Sequence, residues 1–224
     1  MKIRISIILM IVVLMINSTV SSSTNNYVFT KDVKGNIYNN VMEVINTNKL
    51  KKITHLINNT IEINYKNSIE KEEEIQKIDK VLSCDKYDDY ILGESEINAK
   101  SNNEEINASI ATNNGLSDIN VTYIKNGIFS TKDLNKISND FIKYSDIYNN
   151  SLIWSNTIKY EITGNDKLVL QYMNDILDSV DLTEYTHGIF GTGYLQNTKI
   201  SFAITNYDTG SYLIIGTPII NIAY

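Results

Sequence analysis

Apolar and polar side chains alternate along several segments of the chain, and a period of two is typical of half-buried β-strands. In segment 60–65 one face carries only apolar side chains and the other only polar ones: Ile61, Ile63 and Tyr65 against Thr60, Glu62 and Asn64. The same alternation predicts strands at 106–110, 119–123, 158–162 and 200–204, and strand-like segments are predicted at 90–100, 186–195 and 212–222. Turn residues such as Asn113-Asn114-Gly115 separate these segments, because Asn and Gly tolerate a positive φ.

Helical spacing of apolar residues marks the remaining segments of the first half. It predicts a short amphipathic helix at 37–45 and a second helix with a buried stripe of Ile75, Ile78, Val81 and Leu82. Asn67 is the predicted N-cap of this second helix, and Glu70 is its capping-box partner. Glu72 to Glu74 lie near its positive end, so we interpret them as helix-start charges on a solvated face rather than as active-site carboxylates.

Two more helices are predicted further along the chain. Ser130 caps the first of them, which runs to about Tyr148. Gly164-Asn165 opens the second, and its apolar stripe runs from Leu168 to Val180.

Each half of the chain therefore repeats one layout, a strand followed by a helix and three strands, with a further helix before each set. The offset between the halves is about 95–100 residues. Consecutive antiparallel strands with helices on one face predict an α+β fold of two similar halves. The predicted divisions are an export signal or uncleaved anchor at 1–23, a linker at 24–36, a first half at 37–148 and a second half at 149–224.

The N-terminus has the pattern of an export signal. Lys2 and Arg4 precede an unbroken apolar run from Ile7 to Ile16, and small polar residues follow it up to Ser23. The run is shorter than the roughly 20 residues that a membrane-spanning helix needs, so export is favoured over an uncleaved anchor. We therefore expect an extracytoplasmic protein, either secreted or held at the outer face of the cytoplasmic membrane through this segment alone.

Charge and cysteine content narrow the range of functions. Two of the 20 basic residues belong to the predicted signal. The remaining chain has 18 basic and 26 acidic residues, so its net charge is about −8. Such an acidic domain, without arginine, is poorly suited to nucleic acid, which needs a dense basic face. Cys84 is the only cysteine, so no intrachain disulfide can form and the fold depends on its core.

No motif in the sequence has the spacing of a catalytic or metal site. His55 and His187 lie in different halves and match no zinc-binding pattern, and no nucleophile elbow is present. Gly188, Gly191 and Gly193 fall in a predicted strand, where they indicate bulges or close backbone approach rather than a phosphate cradle. We therefore predict neither an enzyme nor a cofactor. The alternative is a cell-wall hydrolase that uses an acidic pair on the sheet face.

The C-terminal segments Ile200–Asp208 and Tyr212–Ile220, with Gly216-Thr217-Pro218 and a terminal Tyr224, carry a resemblance to a known family. They are similar to the YwmB proteins, which are exported by spore-forming Gram-positive bacteria, although Ala223 replaces the family's usual Glu. The resemblance implies a curved antiparallel sheet like that of the TATA-box-binding protein, with helices on one face. It implies no DNA binding and supplies no catalytic residues.

Export, composition and this resemblance together predict a non-enzymatic accessory protein of the cell envelope or of sporulation that binds a protein or a glycan. The residues expected to contact the partner lie near strand ends and turns of the second half. They are Tyr194, Tyr207, Tyr212, Gly216, Thr217, Pro218 and Tyr224. Pro218 removes a donor from the sheet ladder, so it is expected at an edge or a bulge.

Overall fold

The computed structural model describes residues 47–82, 87–113, 115–130, 132–134, 136–137 and 153–217. The predicted export signal, the predicted helix at 37–45 and Cys84 lie outside these ranges, as do Pro218 and Tyr224. No helix within the described ranges has both the length and the apolar character that a membrane crossing requires.

The described part of the chain consists mainly of β-strands. Its complete helices are α1 (Asn48–Lys51), α2 (Lys71–Leu82) and α3 (Asp166–Ile176), and residues 132–134 and 136–137 are also helical. The strands of the first half are β1 (Thr54–Asn67), β2 (Asp89–Leu92), β3 (Glu96–Lys100), β4 (Glu104–Asn113) and β5 (Leu116–Lys125). Those of the second half are β6 (Ile153–Ile162), β7 (Asp178–Tyr185), β8 (Gly188–Leu195), β9 (Thr198–Tyr207) and β10 (Gly210–Thr217).

All ten strands form one sheet in the order β2-β3-β4-β5-β1-β6-β10-β9-β8-β7, and every neighbouring pair is antiparallel. The first strands of the two halves, β1 and β6, pair at the centre, with Glu62 opposite Ser155 and Asn64 opposite Ile153. The hydrogen-bonded ladder therefore runs without a break from one half into the other.

This arrangement corrects the predicted fold class. The expectation of an α+β fold like that of the TATA-box-binding protein, with helices on one face, is wrong, because the structure is mostly one large antiparallel sheet with few helices. Four strands, rather than the predicted three, follow the helix in each half. The chain thus places more of its residues in the sheet than the sequence pattern indicated.

Two segments account for the additional strands. The predicted single strand at 90–100 is two strands, β2 and β3, since the chain reverses after Gly93, whose N–H donates to the carbonyl of Glu96 at 2.8 Å. Strand β7 lies where the helical stripe was expected to continue to Val180. Most side chains of β7 are exposed on both faces, so its sequence lacks the alternation that reveals a half-buried strand.

Alternation predicted the central strands correctly. Ile61, Ile63 and Tyr65 of β1 are buried, and so are the apolar residues of β4, β5, β6 and β9 that the same pattern selected. They pack into two apolar clusters. One combines residues of β1, β3, β4 and β5 with Ile75 and Ile78 of α2, and the other combines β6, β9 and β10 with Leu50 of α1 and residues of α3.

Two fully buried asparagines occupy matching positions in the central strand pair. Asn59 of β1 lies opposite Ile158, and Asn156 of β6 lies opposite Ile61. Their exposed fractions are 0% and 2%, and neither side-chain amide makes a hydrogen bond within the structure described here. A buried amide without a partner is destabilising, so these positions are weak points of the sheet.

Two of the three predicted helix N-caps are present in the structure. Asn165 caps α3, its Oδ1 accepting from Lys167 N at 2.8 Å, and Ser130 Oγ accepts from Asp133 N at 3.1 Å. Both predictions are confirmed. The predicted cap at Asn67 is wrong, because Asn67 is the last residue of β1 and α2 begins at Lys71.

The glycines of β8 lie where strands approach closely, as predicted. A Cβ on Gly191 would be 2.2 Å from the Phe202 ring, and a Cβ on Gly188 would be 1.9 Å from the carbonyl oxygen of Ile204. Any larger residue at these positions would force the β8–β9 pair apart.

Candidate functional site

A hydrogen-bonded group of polar side chains lies on the face of the sheet opposite to the buried residues of β1 and β5. It consists of Glu62 and Asn64 from β1 and of Asn120 and Thr122 from β5, and these four residues are termed the polar network. Strand register creates it, because Glu62 is directly opposite Thr122 and Asn64 is directly opposite Asn120. Each residue alternates with buried apolar neighbours, so all four side chains point to the same face.

The contacts within the polar network hold its side chains in place. Asn120 Nδ2 donates to Glu62 Oε1 at 2.8 Å and to Asn64 Oδ1 at 2.7 Å. Asn64 Nδ2 also donates to Glu62 Oε1, at 3.1 Å, and Thr122 Oγ1 donates to Asn120 Oδ1 at 3.2 Å. All four side chains are half-buried, so they remain accessible while their orientations are fixed. Such preorganisation reduces the entropy lost when a polar ligand binds.

The polar surface continues onto β4, the next strand outward. Asn107 lies opposite Thr122, and its Nδ2 donates to Glu105 Oε1 at 2.9 Å. Glu105 also pairs with Lys100 of β3 at 3.9 Å. The face therefore presents amide and carboxylate groups across several adjacent strands.

A depression adjoins the polar network. Its volume is about 320 Å³, and residues 64–66 of β1, 109–111 of β4, 118–120 of β5 and Ile153 of β6 line it. Its size is at the lower end of the range for small-molecule sites. Asn64 and Asn120 belong both to the network and to the wall of the depression.

An ion pair and an apolar side chain complete this wall. Lys66 Nζ is 2.6 Å from Asp118 Oδ1, with the two side chains 56% and 39% exposed. At that exposure the pair contributes little to stability, about 0–1 kcal/mol. Ile153, opposite Asn64 across the strand pair, is 58% exposed.

The side chains at this face offer hydrogen-bonding chemistry. Asn side chains both donate and accept, and carboxylates accept, so the group matches ligands that carry both kinds of partner. Within the described ranges there is no group of three or more His, Cys, Asp or Glu side chains that would hold a metal ion.

Of the predicted contact tyrosines in the described residues, Tyr207 and Tyr212 lie close together and Tyr194 lies apart from them. The Tyr207 and Tyr212 rings are 5.7 Å apart, and Lys159 Nζ lies 4.4 Å above the Tyr212 ring. Tyr194 lies opposite Lys199, eight positions before Tyr207 on β9, which is about 26 Å along the strand. The Tyr207–Tyr212 pair is also remote from the polar network, since Tyr212 lies opposite Glu161 and Glu62 lies opposite Ser155.

The remaining predicted contact residues lie at the end of the chain. Gly216 and Thr217 are buried in β10, and Thr217 is 1% exposed. Pro218 and Tyr224 fall outside the described residues. Contact of these residues with a partner stays a prediction.

The sequence analysis did not predict the polar network, because alternation shows which face of a strand is polar but not which strands are neighbours. One signal was present, since Ile61-Glu62-Ile63-Asn64 and Ile119-Asn120-Val121-Thr122 both carry uncharged or acidic hydrogen-bonding groups on one face of a strand. Only the register shows that these two strands are neighbours.

Glu74 was also misassigned. It was grouped with Glu72 and Glu73 on a solvated helix face, but it is 1% exposed and both of its carboxylate oxygens accept hydrogen bonds. Glu72 and Glu73 are exposed, as predicted. Glu74 holds the helix to the sheet and does not reach the polar network.

No protein-family model matches the sequence, and no curated protein matches it either.

Proposed function

We propose that this is an exported, non-enzymatic protein of the cell envelope that binds a glycan across the polar face of its sheet. The observation that carries the proposal is the polar network, in which Glu62, Asn64 and Asn120 are held in fixed orientations beside a depression. The placement outside the cytoplasm rests on the N-terminal signal pattern and on the resemblance of the C-terminal segments to YwmB proteins.

Sugar hydroxyl groups both donate and accept hydrogen bonds, and neighbouring hydroxyls do so in fixed directions. A row of amide and carboxylate side chains offers the complementary pattern, because each amide has two donors and one accepting oxygen. The side chains already hold one another, so little conformational entropy is lost on binding. Hydrogen bonds to a charged acceptor such as Glu62 are about twice as strong as those between neutral groups.

The charge of the network also favours a neutral polymer. Glu62 is its single charged residue, and the nearby Lys66 and Asp118 neutralise each other at 2.6 Å. A glycan strand at this face therefore contacts hydrogen-bonding groups, and the local electrostatic potential is neither strongly positive nor strongly negative. The acidic character of the whole chain disfavours polyanions.

Co-sedimentation of the full chain with insoluble polysaccharides tests the proposal. Purified peptidoglycan, chitin and cellulose are incubated with the wild type and with Asn120→Ala, which removes the amide that joins Glu62 to Asn64. We expect the wild type to sediment with at least one of them and the Asn120→Ala variant to remain in solution. Asn174→Ala, which removes an exposed amide from α3, is the matched control and should sediment like the wild type.

Three results would contradict the proposal. The first is that the wild type sediments with none of the polysaccharides, and the second is that Asn120→Ala sediments as well as the wild type does. The third is release of soluble sugar fragments during the incubation, which would support the alternative of a cell-wall hydrolase. Capture of a protein partner by a surface that includes Asn120, without glycan binding, would point to a protein ligand.

A further inference from the structure

The depression beside the polar network is built from two rows of side chains across neighbouring strands. The first row contains Ile153, Asn64, Asn120 and Ser109 on β6, β1, β5 and β4. The second contains Lys66, Asp118 and Ala111 on β1, β5 and β4. Adjacent strands are about 4.8 Å apart, so neighbouring side chains in a row are separated by about the size of a ligand group of a few atoms.

Ile153 is the large apolar side chain at the β6 end of the depression, and Ala111 lies at its β4 end. Ile153 is 58% exposed and lies directly beside Asn64. Leaving such a side chain in water is unfavourable, and covering it with a methyl group removes apolar surface from water. The Ile153 side chain beside the Asn64 amide is complementary to a ligand that also carries an apolar group next to an amide.

Two polar residues of β1 lie on one side of the Ile153 side chain. Asn64 Oδ1 accepts one hydrogen bond from Asn120, and a carbonyl oxygen has two lone pairs, so it can accept a second. Lys66, two residues along β1 on the same face, carries an ammonium group with N–H donors and pairs with Asp118. A donor and an acceptor thus lie on the same side of Ile153.

We infer that this depression binds the acetamido group of an N-acetylated amino sugar, an inference that rests on the proposed glycan-binding function. The methyl group covers Ile153, the N–H donates to Asn64 Oδ1, and the carbonyl oxygen accepts from Lys66. The polar network then binds the hydroxyl groups of the same glycan strand. The depression therefore sets the preference among glycans, whereas the network supplies binding to glycans in general.

Isothermal titration of the full chain with two neutral ligands tests this inference. One is the β-1,4-linked tetramer of N-acetylglucosamine, and the other is the corresponding glucose tetramer, in which a hydroxyl replaces the acetamido group. We expect the acetylated tetramer to bind at least about tenfold more tightly. Ile153→Ser should weaken its binding about five- to tenfold and leave the affinity for the glucose tetramer unchanged.

Leu168→Ser is the matched control, since Leu168 is 50% exposed but lies on helix α3 and not on the polar face of the sheet. It should leave both affinities unchanged, and equal Tm values of the variants would show that folding is not the cause of any difference. Equal affinity for the two tetramers, with loss of both in Asn120→Ala, would overturn the inference and leave the proposed function intact. Failure of both tetramers to bind would overturn the inference together with the proposed function.

Discussion

The hydroxyl of Tyr65, on central strand β1, donates a 2.6 Å hydrogen bond to Oε1 of Glu74 on α2. Asn67 Nδ2 donates to the other oxygen of the same carboxylate at 2.7 Å. Burial and this hydrogen bond to Glu74 raise the pKa of Tyr65 far above its ordinary value. Glu74 therefore joins α2 to the C-terminal end of β1, the strand that carries Glu62 and Asn64.

Replacing Glu74 should destabilise the protein strongly. Glu74→Ala leaves the Tyr65 hydroxyl and the Asn67 amide buried without this acceptor, so we expect a loss of about 2–4 kcal/mol in the free energy of unfolding. Chemical denaturation measures it. Glu72→Ala, two residues earlier on α2 and exposed, should change stability by no more than about 0.5 kcal/mol. Similar losses in both variants would show that Glu74 has no special role.

A methyl group on Gly191 should be poorly tolerated. Its Cβ would lie 2.2 Å from the Phe202 ring, and that ring is completely buried. We expect Gly191→Ala to lower stability by about 1–3 kcal/mol. Gly164→Ala is the control, because its Cβ would be at an ordinary 3.6 Å from Ile53 Cβ.

A double-mutant cycle separates this clash from a backbone effect. Phe202→Leu removes part of the ring volume, so Gly191→Ala should be less destabilising in the Phe202→Leu background than in the wild type. Strictly additive losses would mean that the two side chains do not clash.

The buried amide of Asn59 should reduce stability rather than add to it. Leu has nearly the same shape and needs no hydrogen bond, so we expect Asn59→Leu to raise the free energy of unfolding by about 1 kcal/mol. Asn58→Leu, on the opposite face and half-buried, is the control and should stay within about 0.5 kcal/mol of the wild type. A marked loss in Asn59→Leu would indicate that the amide is satisfied, for example by a buried water.

Asp133 should stabilise the protein only while its carboxyl group is ionised. Burial alone would raise its pKa, but hydrogen bonds from Ser130 and the charge of Lys125 outweigh burial and lower the pKa below its ordinary 3.8. The folded state therefore favours the ionised form. This contribution is complete above the unfolded pKa and is lost as the pH falls through the lower folded pKa.

The pH dependence gives a direct test with Asp133→Asn. At neutral pH the variant should be about 0.5–1 kcal/mol less stable, a modest effect because the side chain is 39% exposed. The difference should shrink as the pH falls below 3.8. A difference that stays constant down to strongly acidic pH would show that ionisation of Asp133 does not contribute.

Local patterns in the sequence predicted much of the sheet but not its extent. Alternation identified Ile61, Ile63 and Tyr65 as buried, because a half-buried strand imposes its period on the sequence. It failed for β7, whose side chains are exposed on both faces and therefore carry no periodic signal. It also failed to separate β2 from β3, between which the chain reverses after Gly93.

The candidate site was less predictable than the fold, because it depends on register. Asn64 and Asn120 are 56 positions apart in the chain, and their hydrogen bond exists only because β1 and β5 pair with these residues opposite each other. The side-chain pattern of one strand indicates which face is polar but not which polar residues meet. Glu74 was missed although its spacing to Ile78 and Val81 places it on the buried face of α2.

Chemical-shift mapping of the backbone amides during titration with soluble peptidoglycan glycan fragments tests the glycan-binding face most directly. We predict that the largest changes cluster at residues 62–66, 107–111 and 118–122, and that Asn120→Ala abolishes them. Changes confined to the Tyr207–Tyr212 pair or to the β7 edge, or no changes at saturating ligand, would contradict the account.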